Sequence, residues 1–191
     1  MGVQRDKVRG ITVQLGLLVL LTGGLGASVL FTPTNQSALG MARAAAQGCP
    51  DAEERALLEK INEFRKRNGR KPLRLETQLT LAAEHHAEDM TGMDKVVGHT
   101  LSDGTSAKQN LLDFGYPADK AYTGENLAAG WDWDTAGEAF NFWRHSRDHR
   151  RNMLDRHFRA IGIARVYDAT STYRWYWATT FGSVIEEPLT C

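Results

Sequence analysis

The sequence predicts an α+β domain in which an antiparallel sheet is covered by helices. Three observations lead there. Between residues 51 and 147 apolar side chains recur at helical spacing in four successive stretches. From Ile161 onward the period changes, and aromatic and β-branched residues flank a polar turn. A chain of 191 residues, 42% apolar and 24% charged, has an ordinary globular composition and room for one domain plus an accessory segment.

Taken in order, Asp51 offers an N-cap, with Glu53 and Glu54 in the first turn. Leu57, Leu58, Ile61 and Phe64 continue a first helix that Gly69 stops and Pro72 keeps from resuming. A second helix starts near Thr77 and carries Leu79, Ala82, Ala83, His86, Ala87 and Met90 on one side. A third runs from near Thr105 to Phe114 and ends at Gly115. A fourth covers about Thr135–Arg147, with Ala139, Phe142, Trp143 and Ser146 on one face. The tail then reads as a β-hairpin: Ile161, Ile163 and Arg165, a turn at Asp168–Thr172, and the run Tyr173–Phe181. No internal repeat is visible.

The N-terminus reads as an export signal. Arg5, Lys7 and Arg9 precede a largely apolar stretch, Ile11–Phe31, and Ala42–Ala46 offers small-residue cleavage sites. The same stretch of 21 residues is also long enough to span a bilayer as a retained anchor. Residues 1–31 are therefore a signal peptide or membrane anchor, 32–48 a linker or processing region, and 49–191 the domain. Either way the domain lies outside the membrane. Cys49 and Cys191, the two cysteines of the chain, bracket that domain. In an oxidising compartment they suggest a clasp joining the termini; two free thiols near the chain ends are the alternative.

Four bases and one acid fall in residues 1–48, which leaves 19 bases against 22 acids in the remainder. This balance disfavours non-specific attraction to nucleic acid. Arg144, Arg147, Arg150, Arg151, Arg156 and Arg159 are interleaved with Asp148 and Asp155, a solvated ion-paired face or a surface for an envelope polyanion. Trp131 and Trp133 flank Asp132, as an exposed aromatic platform or as core. The polar cluster that can carry chemistry is His99, Glu125, Ser146 and His149. For Glu125 the plain alternative is a carboxylate that accepts backbone N–H bonds, and for His149 an exposed helix-end histidine. His145 and His149 have the spacing of a helical metal pair. His85, His86 and His157 read as surface or packing residues.

Gly98-His99, Gly124-Glu125-Asn126-Leu127, Trp143…Ser146…His149-Arg150-Arg151-Asn152-Met153-Leu154, Ile161-Gly162-Ile163-Ala164 and Tyr176-Trp177…Phe181-Gly182 stand in one order. Over about residues 51–183 this order resembles the CAP superfamily (cysteine-rich secretory proteins, antigen 5, pathogenesis-related proteins; the SCP domain), in its bacterial branch. The resemblance implies a three-layer α-β-α sandwich with a central antiparallel sheet. It also implies a cleft in which two His and two acidic residues bind a divalent metal such as zinc in some members. Carried over by motif, His99, Glu125 and His149 are the metal candidates, and Ser146 stands where the second acid is common. A hydroxyl is a poor ligand beside imidazole and carboxylate, so the site is short of one negative charge. The expected function is an exported binding module for an extracellular ligand: lipid, cell-wall material or protein. A secreted metal-dependent hydrolase is the alternative. A serine hydrolase built on Ser146, His149 and Glu125 lacks any strained elbow or Gly-rich oxyanion loop around Ser146.

Overall fold

The computed structural model describes residues 48–93 and 98–191. Helix α1 (Ala52–Arg67) opens with a capping box in which Asp51 accepts from the Glu54 N–H and Glu54 accepts from the Asp51 N–H. Strand β1 (Arg74–Leu75) leads into α2 (Thr77–Thr91), capped by the buried carboxylate of Glu76. Helix α3 (Ala107–Asp113) is capped by Ser106, and Gly115 follows it at φ +87°, a value that favours glycine. Strand β2 (Thr123–Gly130), helices α4 (Ala136–His145) and α5 (Arg147–Leu154), and strands β3 (Ala160–Tyr167) and β4 (Trp175–Gly182) complete the order.

The sheet order is β1-β3-β4-β2. The three long strands are antiparallel, with Glu125 opposite Thr180 and Ile163 opposite Thr179. The two-residue β1 adds a parallel edge on β3, so the sheet is mixed. Strand alternation then makes three layers. Ile161, Ile163, Trp177 and Phe181 face Leu57 and Ile61 of α1, Trp143 of α4 and Met153 of α5. Ala160, Ala164, Tyr176 and Ala178 face α2 and α3 through Leu79, Ala82, Ala83, Ala87, Met90 and Leu111. Each large apolar side chain buried in these clusters contributes roughly 1.5–3 kcal/mol.

Three details depart from the sequence reading. The predicted fourth helix stops at His145, because Ser146 at φ −85°, ψ 128° is extended and ends α4, and the helix α5 that follows was not foreseen. Strand β2 and the short β1 were not foreseen. Arg65, in the basic last turn of α1, is fully buried. Its guanidinium donates to the carbonyls of Lys71, Met153, Asp155 and Phe158 and so ties α1 to the α5–β3 connection. The clasp is present: Cys49 and Cys191 are bonded, with Cα atoms 5.8 Å apart. Among the described residues no helix is long and apolar enough to cross a membrane. The signal-or-anchor segment 1–31, and the linker as far as residue 47, lie outside them.

Candidate functional site

Strand β2 is a sheet edge, and the candidate residues gather along it. Glu125 points toward α2, where its Oε2 accepts from His86 Nδ1 at 2.7 Å. Its Oε1 accepts from His99 Nδ1 at 2.8 Å. Asn126, next along the strand, points the opposite way. Its side chain donates to the His149 carbonyl at 3.1 Å, while Asn152 Nδ2 donates to the Glu125 carbonyl (2.9 Å) and to Asn126 Oδ1 (3.0 Å). These bonds hold α5 against β2. Trp143 Nε1 donates to the Leu127 carbonyl at 3.0 Å, so helix side chains satisfy carbonyls on the open edge of the strand. His99 is placed by its own carbonyl, which accepts from the Ala107 N–H at the start of α3.

Two hollows flank His99. One, of about 190 Å³, is lined by His99, Lys108, Leu111, Glu125, Asn152 and Thr180, among others. The other, of about 300 Å³, is lined by His99, Leu127, Ala128, Ala129, Trp133, Phe142 and His149. His99 and His149 thus meet in one cleft, with the His149 ring also against Phe142 and Trp143. Trp133 lines this cleft and accepts from Trp177 Nε1 through its carbonyl, whereas Trp131 is exposed beneath the Arg174 guanidinium.

Burial alone would push the Glu125 carboxyl up, but the bonds from His86 and His99 outweigh it and the net shift is downward. The bond to Glu125 raises His99. His149 is lowered by burial, helped by the charge of His99. An ionised Glu125 shared between two imidazoles is the consistent state.

The residues present do not fit a resident metal. Both Glu125 oxygens are occupied by imidazole N–H groups, so the carboxylate orients His99 and is not free to bind an ion. Among the described residues no group of three or more His, Cys, Asp or Glu is arranged to hold one. The set His99, Glu125 and His149 therefore reduces to two cleft imidazoles, two short of a closed tetrahedral site. Ser146 makes no hydrogen bond through its hydroxyl to any described residue, and sits at the α4–α5 break through its backbone. His145 caps the end of α4 by bonding the Asn141 carbonyl, and the break at Ser146 separates it from His149.

His86 corrects the sequence reading: it is fully buried and holds Glu125, not a mere packing residue. A polar ring on the apolar side of α2 was the available signal. His85 stays exposed on Asn110 and Phe114, and His157 stacks on Tyr122.

Residues 58–181 match the CAP (cysteine-rich secretory protein) family, and the chain belongs to it. It is 30% identical over 115 residues to the uncharacterized protein YkwD of Bacillus subtilis, covering 60% of this chain but only 43% of that relative. An outer surface protein from Borrelia burgdorferi has a similar fold, with a TM-score of 0.56 and 25% identity over 70% of this chain and 95% of that one. An extracellular SCP-domain protein from Bacillus anthracis superposes with a TM-score of 0.55 at 21% identity, over 68% of this chain and 39% of that one.

Proposed function

We propose that this chain is an exported binding module that takes the apolar part of an extracellular lipid or envelope molecule into the cleft beside β2. One observation carries the reading. The 300 Å³ hollow joins an apolar floor (Leu127, Ala128, Ala129, Trp133, Phe142) to two imidazoles at its rim. That combination suits a ligand with an apolar portion and a hydrogen-bonding head group, at the small end of ligand pockets. Export rests on the basic-then-apolar N-terminus and agrees with the disulfide. The hydrolase alternative finds less support, since Glu125 is committed to two imidazoles and Ser146 makes no hydrogen bond to His149.

The test is native mass spectrometry of protein recovered from the producing cell's exterior. Wild type should carry a small-molecule adduct released on denaturation. Ala129→Trp, which fills the apolar half, should lose it while keeping its melting temperature within a few degrees. An adduct retained by both proteins, or absent from both, contradicts the reading.

A further inference from the structure

We infer that a second surface, the groove between the starts of β2 and β3, binds an anionic glycan. The groove is distinct from the cleft, is shallow and open to solvent, and is lined by Lys120, Tyr122, Arg156, His157, Arg159 and Ser183 around about 550 Å³. On a domain with 19 bases against 22 acids, this groove gathers three permanent cations. Among the described residues the ion pairs involve none of Lys120, Arg156 and Arg159. The one ion pair in the lining is His157 with Asp155, 2.9 Å apart.

The cations are also backed from behind. Buried Arg65 shares the Phe158 carbonyl with Arg159, and among the described residues no carboxylate is bonded to either. Water cannot screen a fully buried guanidinium, so its field adds to that of the groove. Arg159 is fixed by donating to the Arg156 and Phe158 carbonyls, a guanidinium positioned before any ligand arrives.

The second component is aromatic. Tyr122 is 63% exposed and stacks on His157, with ring centroids 4.4 Å apart and planes at 18°. Asp155 in turn fixes His157 by accepting from its ring and its backbone N–H. One tyrosine face is therefore held rigid while the other is open to a sugar ring. Cations for carboxylate or phosphate groups, beside a rigid ring for the sugar, define an anionic polysaccharide and not an isolated anion.

The probe is polygalacturonate, titrated by calorimetry against the full exported domain. Wild type should bind, with affinity falling more than about tenfold between about 50 and 200 mM salt, the slope expected for three neutralised charges. Lys120→Gln/Arg156→Gln removes two exposed side chains that make no bond to any described residue, and should weaken binding at least about tenfold. Lys60→Gln/Arg144→Gln removes the same charge from α1 and α4, outside the groove lining, and should stay within about twofold. Tyr122→Ala should cost about fivefold on polygalacturonate and leave inorganic polyphosphate binding unchanged. Equal weakening by both charge variants, an unaffected Tyr122→Ala, or binding only to phosphatidylglycerol vesicles would each overturn the inference.

Discussion

Glu125 is the residue on which the cleft turns, because it accepts from two imidazoles carried by two different segments. Replacing it with Gln removes one acceptor and leaves His86 buried without a charged partner. The cost should be about 1.5–3 kcal/mol by urea unfolding. Its pH dependence follows from the shifts. Glu125 is lowered, so its contribution is full above its ordinary value of 4.5 and is lost as pH falls through the folded value. His99 is raised, so its contribution is full below its ordinary value of 6.5 and is lost as pH rises through the folded value. The stability gap between wild type and Glu125→Gln should therefore be widest between pH 4.5 and 6.5 and narrow at about pH 8. Glu54, pushed up to about 7 by burial, titrates in both proteins and cancels from the comparison. A gap independent of pH from about 5 to 8 would sink this account of the pair. Zinc calorimetry offers a second check: wild type should bind no ion tightly, and Ser146→Glu should add affinity that fades in acid. Of these residues, the motifs singled out His99, Glu125 and His149, and the structure sets His99 against Glu125 and beside His149 in one hollow. The role of His86 was not, since sequence cannot tell a buried ring aimed at a carboxylate from one that fills space.

At the scale of elements, α2 lies so close to the sheet that one strand position must lack a side chain. A Cβ on Gly162 would sit 2.1 Å from the Leu79 carbonyl carbon, and that neighbour is backbone. Gly162→Ala should cost about 3 kcal/mol, read as a fall in the denaturant midpoint with little change in slope. A cost below about 1 kcal/mol would mean that α2 can shift freely. Arg65→Met would leave the carbonyls of Lys71, Met153, Asp155 and Phe158 short of a donor and should also cost about 3 kcal/mol. Arg65→Lys should recover little of it, because an ammonium cannot reproduce the planar fork. Helical periodicity made α1, α2 and α3 legible, and the aromatic run made β3 and β4 so. Strand β2 escaped because Asn126-Leu127-Ala128-Ala129 holds no β-branched or aromatic residue; its pairing with β4 and the bonds from Trp143 and Asn152 make it a strand. The break at Ser146 escaped for a similar reason, as neither Gly nor Pro marks it.

For the whole molecule, the Cys49–Cys191 bond closes the domain across a sequence separation of 142. Closing so long a loop contributes roughly 4–5 kcal/mol in the chain-entropy view. Reduction should lower the denaturant midpoint strongly, and denatured unreduced protein should titrate no thiol; an unchanged midpoint would show that the termini are held by other contacts alone. With the fold closed in this way, what the cleft takes up is decided by where a ligand perturbs it. The most direct measurement is amide chemical-shift mapping of labelled domain titrated with a lipid extract of the producing cell's envelope. Shifts should concentrate on Leu127, Ala128, Ala129, Trp133 and Phe142, with His99 and His149 at the rim, and should vanish in Ala129→Trp. Saturating shifts confined to other surfaces, with these residues unmoved, would contradict a binding cleft along β2.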